Sequence, residues 1–174
     1  MAHPDLFHIA ADHRQVREAA ERLFEAVKQQ LQAVLPATTE VLHVGATAVP
    51  GCLTKGDLDI VVRVERKDFQ AVEAALAGRF ARNPGSIRTE EFAAFEDEVC
   101  TPHLGIQLTA KGGALDVFHR FAAALRADPA LVNRYNALKI AHDGQPMDCY
   151  RAAKDAFVAD VLLHASAQPS GRKP

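Results

Sequence analysis

Cysteine is scarce in this sequence, and the three cysteines lie far apart. Cys52, Cys100 and Cys149 are odd in number, and none stands in CxxC spacing. Disulfide frameworks use even sets of cysteines in small secreted chains, and structural zinc sites use closely spaced pairs. The pattern therefore argues against both, and it predicts reduced thiols in a cytoplasmic protein.

Long apolar runs are also missing. No stretch approaches the roughly 20 apolar residues that a membrane-spanning helix needs. The first residues, "MAHPDLFHIAADHRQ", lack the basic segment and apolar stretch of a signal peptide. The last residues, 166–174, are rich in proline, glycine and serine, and we expect them to be disordered. We expect residues 1–165 to form one domain with no membrane association.

A strong charge of one sign is absent as well. The 20 Lys and Arg residues nearly balance the 22 Asp and Glu residues, which gives a net charge of −2. Domains that coat nucleic acid carry a marked positive excess, so the sequence carries no strong nucleic-acid signal. The composition is that of an ordinary globular domain, with 48% apolar residues. It leaves open whether the chain forms a homo-oligomer.

Apolar periodicity places the helices and strands. Short apolar runs predict strands, and apolar residues three or four apart predict helices. The predicted strands span 41–44, 58–64 and 104–109, and the predicted helices span 12–35, 68–77, 114–126, 130–142 and 148–164. A further stretch, 92–100, fits either type. We expect a mixed α/β fold of α+β layout, with four to five strands, an N-terminal helix and a helical C-terminal third.

Two aspartates stand at the start of the second predicted strand. Asp57 and Asp59 are separated by Leu58 and are followed by an apolar run over 60–62. Side chains at positions i and i+2 of a strand point to the same face, with Cβ atoms roughly 6–7 Å apart. Two carboxylates at this spacing can share one Mg²⁺ or Mn²⁺ ion, which prefers oxygen ligands. We predict that both aspartates bind metal; the alternative is that they cap a turn.

The loop before this strand has the residues of a phosphate site. Gly45 allows close approach of the backbone, and Ala46 and Thr47 follow it, with the Thr47 hydroxyl available to a phosphate oxygen. If the loop turns into a helix, its free N–H groups favour an anion. Lys55 adds a positive charge. The loop lacks the Gly-Lys-Ser/Thr ending of a P-loop, so it predicts phosphate binding of another kind.

Two tyrosine–lysine pairs recur in the C-terminal third. Tyr135 and Lys139 are four residues apart, as are Tyr150 and Lys154, so each pair shares one helix face. A tyrosine ring can stack on a base, and a lysine can neutralise a phosphate. We predict that the four side chains contact a nucleotide. The alternative is a pair of solvated helix faces with half-buried tyrosines.

Loop and strand together resemble a known signature. A glycine in a small hydroxylated loop, followed twelve residues later by Asp-apolar-Asp-apolar, is similar to the pattern of the DNA-polymerase-β-like nucleotidyltransferase superfamily. In that superfamily the turn holds the triphosphate, the paired acids hold Mg²⁺, and a third acid comes from a later strand. The resemblance implies a nucleotidyltransferase-like fold, catalytic roles for Asp57 and Asp59, and an NTP substrate with an unknown acceptor.

A closer resemblance is to the GrpB family, also called UPF0157. "HVGATAVPG", followed by Lys55 and "LDI", is similar to the family's Gly-Ser-Thr-Ala-Val-Pro-Gly segment and the strand after it. "LRADPALVNRYNALK" and "YRAAKDAFVADVL" are similar to its C-terminal segments. The resemblance covers about 41–163. The chain departs from the family at Ala46, where serine is usual, and at Asp57, where an apolar residue is common.

A third acid has no clear candidate. Gln107 stands in the later strand where an acid would be useful, Asp116 is expected to cap the next helix, and Asp97 or Glu98 would serve only if their stretch pairs beside Asp59. The sequence thus supports two hypotheses. One is Mg²⁺-dependent transfer of a nucleotidyl group from an NTP. The other is a non-catalytic module that binds a nucleotide or anion, and a phosphohydrolase is a weaker third.

Overall fold

A mixed five-stranded sheet forms the centre of the fold. The computed structural model describes residues 5–167. The strands are β1 (Glu40–Val44), β2 (Leu58–Val64), β3 (Ala81–Arg82), β4 (Phe92–Asp97) and β5 (Leu104–Ala110). They lie in the order β1-β2-β5-β4-β3. The β2–β5 pair is parallel and the other three pairs are antiparallel. The β2–β5 pairing brings the start of β2 beside the start of β5.

Five α-helices surround the sheet in the described part of the chain. They are α1 (His13–Gln32), α2 (Phe69–Ala77), α3 (Phe118–Ala127), α4 (Pro129–His142) and α5 (Met147–Ala167). The carboxylate of Asp12 caps α1 by accepting a hydrogen bond from the backbone N–H of Gln15. The carboxylate of Asp128 caps α4, which begins with Pro129, by accepting a hydrogen bond from the backbone N–H of Ala130. Residues 5–167 contain no helix with the length and apolar character to cross a membrane.

One face of the sheet carries the main core. Leu58, Ile60 and Val62 alternate along β2 and are fully buried against α1 and α2. Burying each such side chain contributes about 1.5–3 kcal/mol. Phe95 and Ile106 extend the same layer across the neighbouring strands. This packing fixes β2 in register, because a slip by one residue would turn its charged face into the core.

The opposite face of β2 carries Asp59, Val61 and Arg63. Val61 packs with Val44 of β1 and Ala122 of α3. Helices α3, α4 and α5 pack on one another in a second apolar cluster with the loop after β1. This face of the sheet therefore points toward the C-terminal helices, and the start of β2 shares a cavity with residues of α4 and α5.

The fold confirms the predicted mixed sheet and helical C-terminal third. Within the ambiguous stretch 92–100, residues 92–97 form strand β4, which pairs along its length with β5, and 98–100 form a bend. Three elements differ: α1 ends at Gln32 and not at 35, β3 was not predicted, and α3 begins at Phe118 and not near 114. The expected capping role of Asp116 was wrong, because its carboxylate binds the guanidinium of Arg63 and the N–H of Gly112. The predicted disordered tail lies mostly outside the described residues, and α5 continues to Ala167.

Candidate functional site

One arginine of α1 holds the loop between β1 and β2 in place. Gly45 begins it with φ 75°, a value that favours glycine, and a 3₁₀ turn follows over Ala46–Ala48. The guanidinium of Arg17, on α1, donates to three carbonyl oxygens: those of Ala46 at 3.1 Å, Thr47 at 3.3 Å and Val49 at 2.7 Å. It also donates to the carbonyl of Cys52. The carbonyls of the loop are thereby turned toward α1.

The C-terminal end of this loop is held by α4. The amide of Asn136 donates to the carbonyl of Gly51 at 2.8 Å and accepts from the N–H of Leu53 at 2.8 Å. The ammonium of Lys139 donates to the carbonyl of Leu53. Helices that are distant in sequence therefore fix the loop from two sides, and the start of β2 follows directly from it.

Asp59 lies between two glycines that make room for its carboxylate. It stands opposite Gly105 in the β2–β5 register. A Cβ atom at Gly105 would approach Asp59 Oδ1 to 3.0 Å, and one at Gly45 would approach Oδ2 to 2.6 Å. The second distance is shorter than Cβ atoms tolerate. Gly45 is therefore required for this carboxylate to keep its position, and Gly105 leaves it additional room.

A small cavity of about 60 Å³ collects most of the residues that the sequence singled out. Its lining includes eight of the ten predicted site residues: Ala46, Lys55, Asp57, Asp59, Tyr135, Lys139, Tyr150 and Lys154. We call it the lysine cavity. The fold thus brings together a loop, a strand start and two helices that the sequence separates by about a hundred residues.

The remaining two predicted residues stand behind the lysine cavity. Gly45 contacts Asp59 as described. The hydroxyl of Thr47 is buried and donates to the carbonyl of Asp57 at 3.0 Å. His43 Nε2 lies 2.9 Å from the same hydroxyl oxygen, and His43 Nδ1 lies 3.0 Å from a carboxylate oxygen of Glu21. In this state the Thr47 hydroxyl braces the loop against β2, and phosphate binding by Thr47 stays a prediction.

The two carboxylates at the start of β2 have different surroundings. Asp57 forms an ion pair with Lys55, with Oδ2 and Nζ 2.7 Å apart. Asp59 lies deeper, and burial raises the pKa of its carboxyl group, whereas the charge of Lys154 opposes that rise. The charge of Asp57 adds to the rise. Asp57 is therefore compensated by an ion pair, whereas Asp59 remains a desolvated carboxylate close to another one.

Lys139 is a buried lysine, with 1% of its surface exposed. Burial lowers the pKa of its ammonium group to about 8, so the group is still mostly charged at neutral pH. The ammonium nitrogen lies 3.8 Å from the ring centroid of Tyr135 and 3.7 Å from the sulfur of Cys52. A fixed positive charge in a cavity that two carboxylates also line suits a ligand that carries both metal and phosphate.

The two tyrosines use their rings for packing. The ring of Tyr135 stacks on Phe157 with centroids 5.1 Å apart, and the ring of Tyr150 stacks on Phe7 at 3.8 Å. Their hydroxyl oxygens lie 3.3 Å apart. Burial raises the pKa of Tyr150 to about 12. The alternative of solvated helix faces does not fit these buried side chains, and their contact with a nucleotide stays a prediction.

Two further residues at the site carried no signal in the sequence. Glu96 pairs with Gly105, which pairs with Asp59, so the two acids share one face of the sheet with a glycine between them. His103 lies between the strands, with Nδ1 3.7 Å from Asp57 Oδ2 and Nε2 3.7 Å from Glu96 Oε2. Alternation along β4 could have pointed to Glu96, but only with the strand order known.

The other acids considered as a third ligand serve different purposes. Asp97 accepts hydrogen bonds from the N–H groups of Val99 and Cys100, and therefore stabilises the turn after β4. Glu98 is exposed, and it offers an oxygen within 4.8 Å of ligand atoms of Glu96 and His103.

All three cysteines lie in the described part of the chain, and each is a free thiol, as predicted.

Comparison with known proteins places this arrangement in a family. The family model for the GrpB protein matches residues 14–164. The chain belongs to the GrpB family. A UPF0157 protein of Vibrio cholerae is 33% identical over 148 residues, which cover 84% of this chain and 78% of that protein.

Superposition on solved structures shows the fold class of this GrpB protein. A GrpB protein of Enterococcus faecalis superposes with a TM-score of 0.67 at 23% identity, over 84% of this chain and 92% of that one. The Cid1 poly(U) polymerase, solved with Mg and 3′-dATP, superposes with a TM-score of 0.52 at 13% identity. That match covers 75% of this chain and 42% of the polymerase. The fold is thus nucleotidyltransferase-like.

Proposed function

We propose that this GrpB protein transfers a nucleotidyl group from an NTP to an acceptor in a Mg²⁺-dependent reaction. The observation that carries the proposal is the lysine cavity, where Asp57 and Asp59 meet Lys55, Lys139 and Lys154. Carboxylates suit a hard cation, and lysines suit phosphate oxygens. The Cid1 polymerase, which shares the fold, has been solved with Mg and nucleotide, which supports the same ligand class here.

The residues present fit a divalent cation. Asp57 and Asp59 would hold it, because both offer oxygen ligands, and glycines at two sides leave the Asp59 carboxylate free. A bound cation would supply charge neutralisation on the phosphate oxygens. The pKa of Asp59 is raised because burial and the charge of Asp57 outweigh the nearby positive charges, so a bound cation would relieve this carboxylate.

The lysines of the cavity would bind the phosphate groups. Lys139 is fixed by the Leu53 carbonyl, so its ammonium can contact phosphate without losing further side-chain freedom. Lys55, now paired with Asp57, becomes available to phosphate once that carboxylate has another partner. In the reaction an acceptor hydroxyl oxygen bonds to the α-phosphorus and loses its proton to solvent. The bond from the α-phosphorus to the α,β-bridging oxygen breaks, and that oxygen keeps the electron pair as pyrophosphate leaves. Positioning and charge neutralisation are the main sources of rate in such transfers.

A second candidate function is nucleotide or anion binding without turnover. It is favoured by β5, which carries Gly105 and Gln107 on the face beside Asp59 and has no acid at either position. Under the first proposal Glu96 takes the place of the third acid from one strand further away. The two functions differ in product, because only the enzyme releases pyrophosphate.

The test measures thermal unfolding with each NTP, with and without Mg²⁺ or Mn²⁺. A ligand at 100 times its dissociation constant adds about 2.7 kcal/mol to the free energy of unfolding. Asp57→Asn and Asp59→Asn should each abolish the metal-dependent gain. Asp148→Asn, at an exposed carboxylate on α5, is the matched control and should keep it.

Pyrophosphate release with candidate acceptors then separates enzyme from binder. Metal-dependent stabilisation without pyrophosphate across alcohols, amines, proteins and RNA would favour the binding module. No stabilisation by any NTP in the folded wild-type protein would overturn both proposals.

A further inference from the structure

A second cavity lies on the other side of Asp59. It has a volume of about 180 Å³ and is three times as large as the lysine cavity. The two share Asp59, Tyr135 and Lys154. A ligand with its phosphates in the lysine cavity therefore has this space directly beside it.

The walls of this second cavity are mainly apolar. Helices α3 and α5, strand β1 and the segment before α3 supply Val44, Val117, Phe118, Phe121 and Val158. Apolar and aromatic walls favour a flat, weakly hydrated group such as a ring and disfavour phosphate. The cavity thus differs in chemistry from the lysine cavity, which holds three ammonium groups.

Besides Tyr135, the polar side chains that line the second cavity are Asp59, Gln107, Lys154 and Asp155, and Gln107 is the uncharged amide among them. The side chain of Gln107, on β5, lines the cavity, and within residues 5–167 its buried Oε1 atom has no hydrogen-bond partner. Leaving a buried acceptor unpaired costs about 1–3 kcal/mol. A ligand that brings an N–H donor would remove that cost.

We propose that this cavity binds the base of the nucleotide and prefers adenine. The inference rests on the proposed function, because the phosphates of the same nucleotide occupy the lysine cavity. A glutamine amide offers one acceptor and one donor side by side, which match N6–H and N7 of adenine. Guanine presents two acceptors, O6 and N7, on the same edge and leaves the Gln107 oxygen unpaired.

Calorimetry with Mg·ATP and Mg·GTP tests this preference. The wild-type protein should bind ATP about tenfold more tightly than GTP, the size of one good bidentate contact. Gln107→Leu keeps an apolar wall and removes the amide, so it should weaken ATP binding about tenfold and leave GTP binding unchanged. The matched control is Gln70→Leu, the same substitution at an exposed position of α2 on the opposite face of the sheet.

Nucleosides without phosphate test the base cavity apart from the metal site. Adenosine should shift NMR signals of residues lining the second cavity in both the wild-type and the Asp57→Asn protein, and guanosine should not. Equal affinity for ATP and GTP, or an ATP preference that survives Gln107→Leu, would overturn the base subsite and leave the proposed function standing. Adenosine binding with no binding of any Mg·NTP would overturn the proposed function and leave the base subsite standing. Binding of neither would overturn both.

Discussion

Two aspartates over the same face of the sheet show what burial does to a carboxylate with and without donors. Asp116 is buried, and burial by itself would raise the pKa of its carboxyl group, but the hydrogen bonds of Arg63, Gly112 and Thr109 outweigh that effect and lower the pKa to about 2. Asp59 has no such set of donors, and burial raises the pKa of its carboxyl group.

The difference lies in how far the protein itself satisfies each carboxylate. The guanidinium of Arg63 donates to both oxygens of Asp116, at 2.6 Å and 2.7 Å, so this carboxylate is saturated by the protein. Asp59 keeps its oxygens beside two glycines, where no Cβ blocks them. Buried polar groups are normally satisfied within the fold. Asp59 departs from this rule, and that departure is what the proposed metal-binding role would explain.

Removing the Asp116 charge should have the largest effect on stability. Asp116→Asn leaves the guanidinium of Arg63 with Glu40 as its remaining acidic partner, and breaking a buried pair on one side costs about 3–5 kcal/mol. Urea unfolding at neutral pH measures the loss. Asp148→Asn is the control, since its carboxylate is 94% exposed, and it should change stability by less than about 0.5 kcal/mol. Equal effects of the two substitutions would contradict the structural role.

The pH dependence of the free energy of unfolding should also distinguish Asp116 from Asp59. The pKa of Asp116 is depressed in the folded state, so its contribution to stability is present above the ordinary aspartate pKa of 3.8 and is lost as the pH falls toward 2. The loss should be about 2 kcal/mol and should be missing in Asp116→Asn. The pKa of Asp59 is raised, so its contribution falls as the pH rises above 3.8. Unfolding curves of the wild type and both asparagine variants between pH 2 and pH 7 compare the two slopes.

Neutralising Asp59 should stabilise the protein in the absence of ligand. Asp59→Asn removes the desolvated charge and its repulsion with Asp57, and we expect a gain of about 0.5–2 kcal/mol at pH 7. The same variant should show no response to Mg²⁺ and NTP. Thermal melting with and without both ligands measures the two effects together. A loss of stability with an unchanged ligand response would mean that Asp59 belongs with Asp116 as a structural group.

The smallest effect should come from the ion pair at the mouth of the site. Lys55 is 41% exposed, and its pair with Asp57 contributes less than about 1 kcal/mol. Lys55→Ala should leave the melting temperature nearly unchanged, strengthen binding of Mg²⁺ alone and weaken binding of Mg·NTP. Calorimetry with each ligand checks the opposite signs, and a parallel change in both would contradict the exchange of partners at Asp57.

Local structure and the residues near the site could largely be predicted from the sequence. Strand β2 has the predicted bounds, and α2 ends before Gly78 as expected, because alternation and glycine punctuation act locally. The Asp-apolar-Asp pattern and the four-residue spacing of the tyrosines and lysines indicated side chains that the fold does bring into one cavity.

Contacts between distant elements could not be predicted from pattern. Glu96 shares a sheet face with Asp59 because both are in register with Gly105 on β5, the strand between theirs. Lys139 follows the spacing of a solvated helix face, yet it is 1% exposed, because the carbonyl of Leu53 accepts a hydrogen bond from its ammonium group. Asp116 has the sequence context of a helix cap, and it binds an arginine 53 residues away instead.

The loop held by Arg17, Asn136 and Lys139 also bears on how the site is made during folding. Its carbonyls are bound by Arg17 from 29 to 35 residues upstream, and by Asn136 and Lys139 from 85 and 86 residues downstream. Closing such long segments is entropically costly and slow compared with forming a helix or hairpin. On a chain emerging from the ribosome, the contacts of Arg17 with this loop are therefore available early, and those of Asn136 and Lys139 only after α4 has been synthesised.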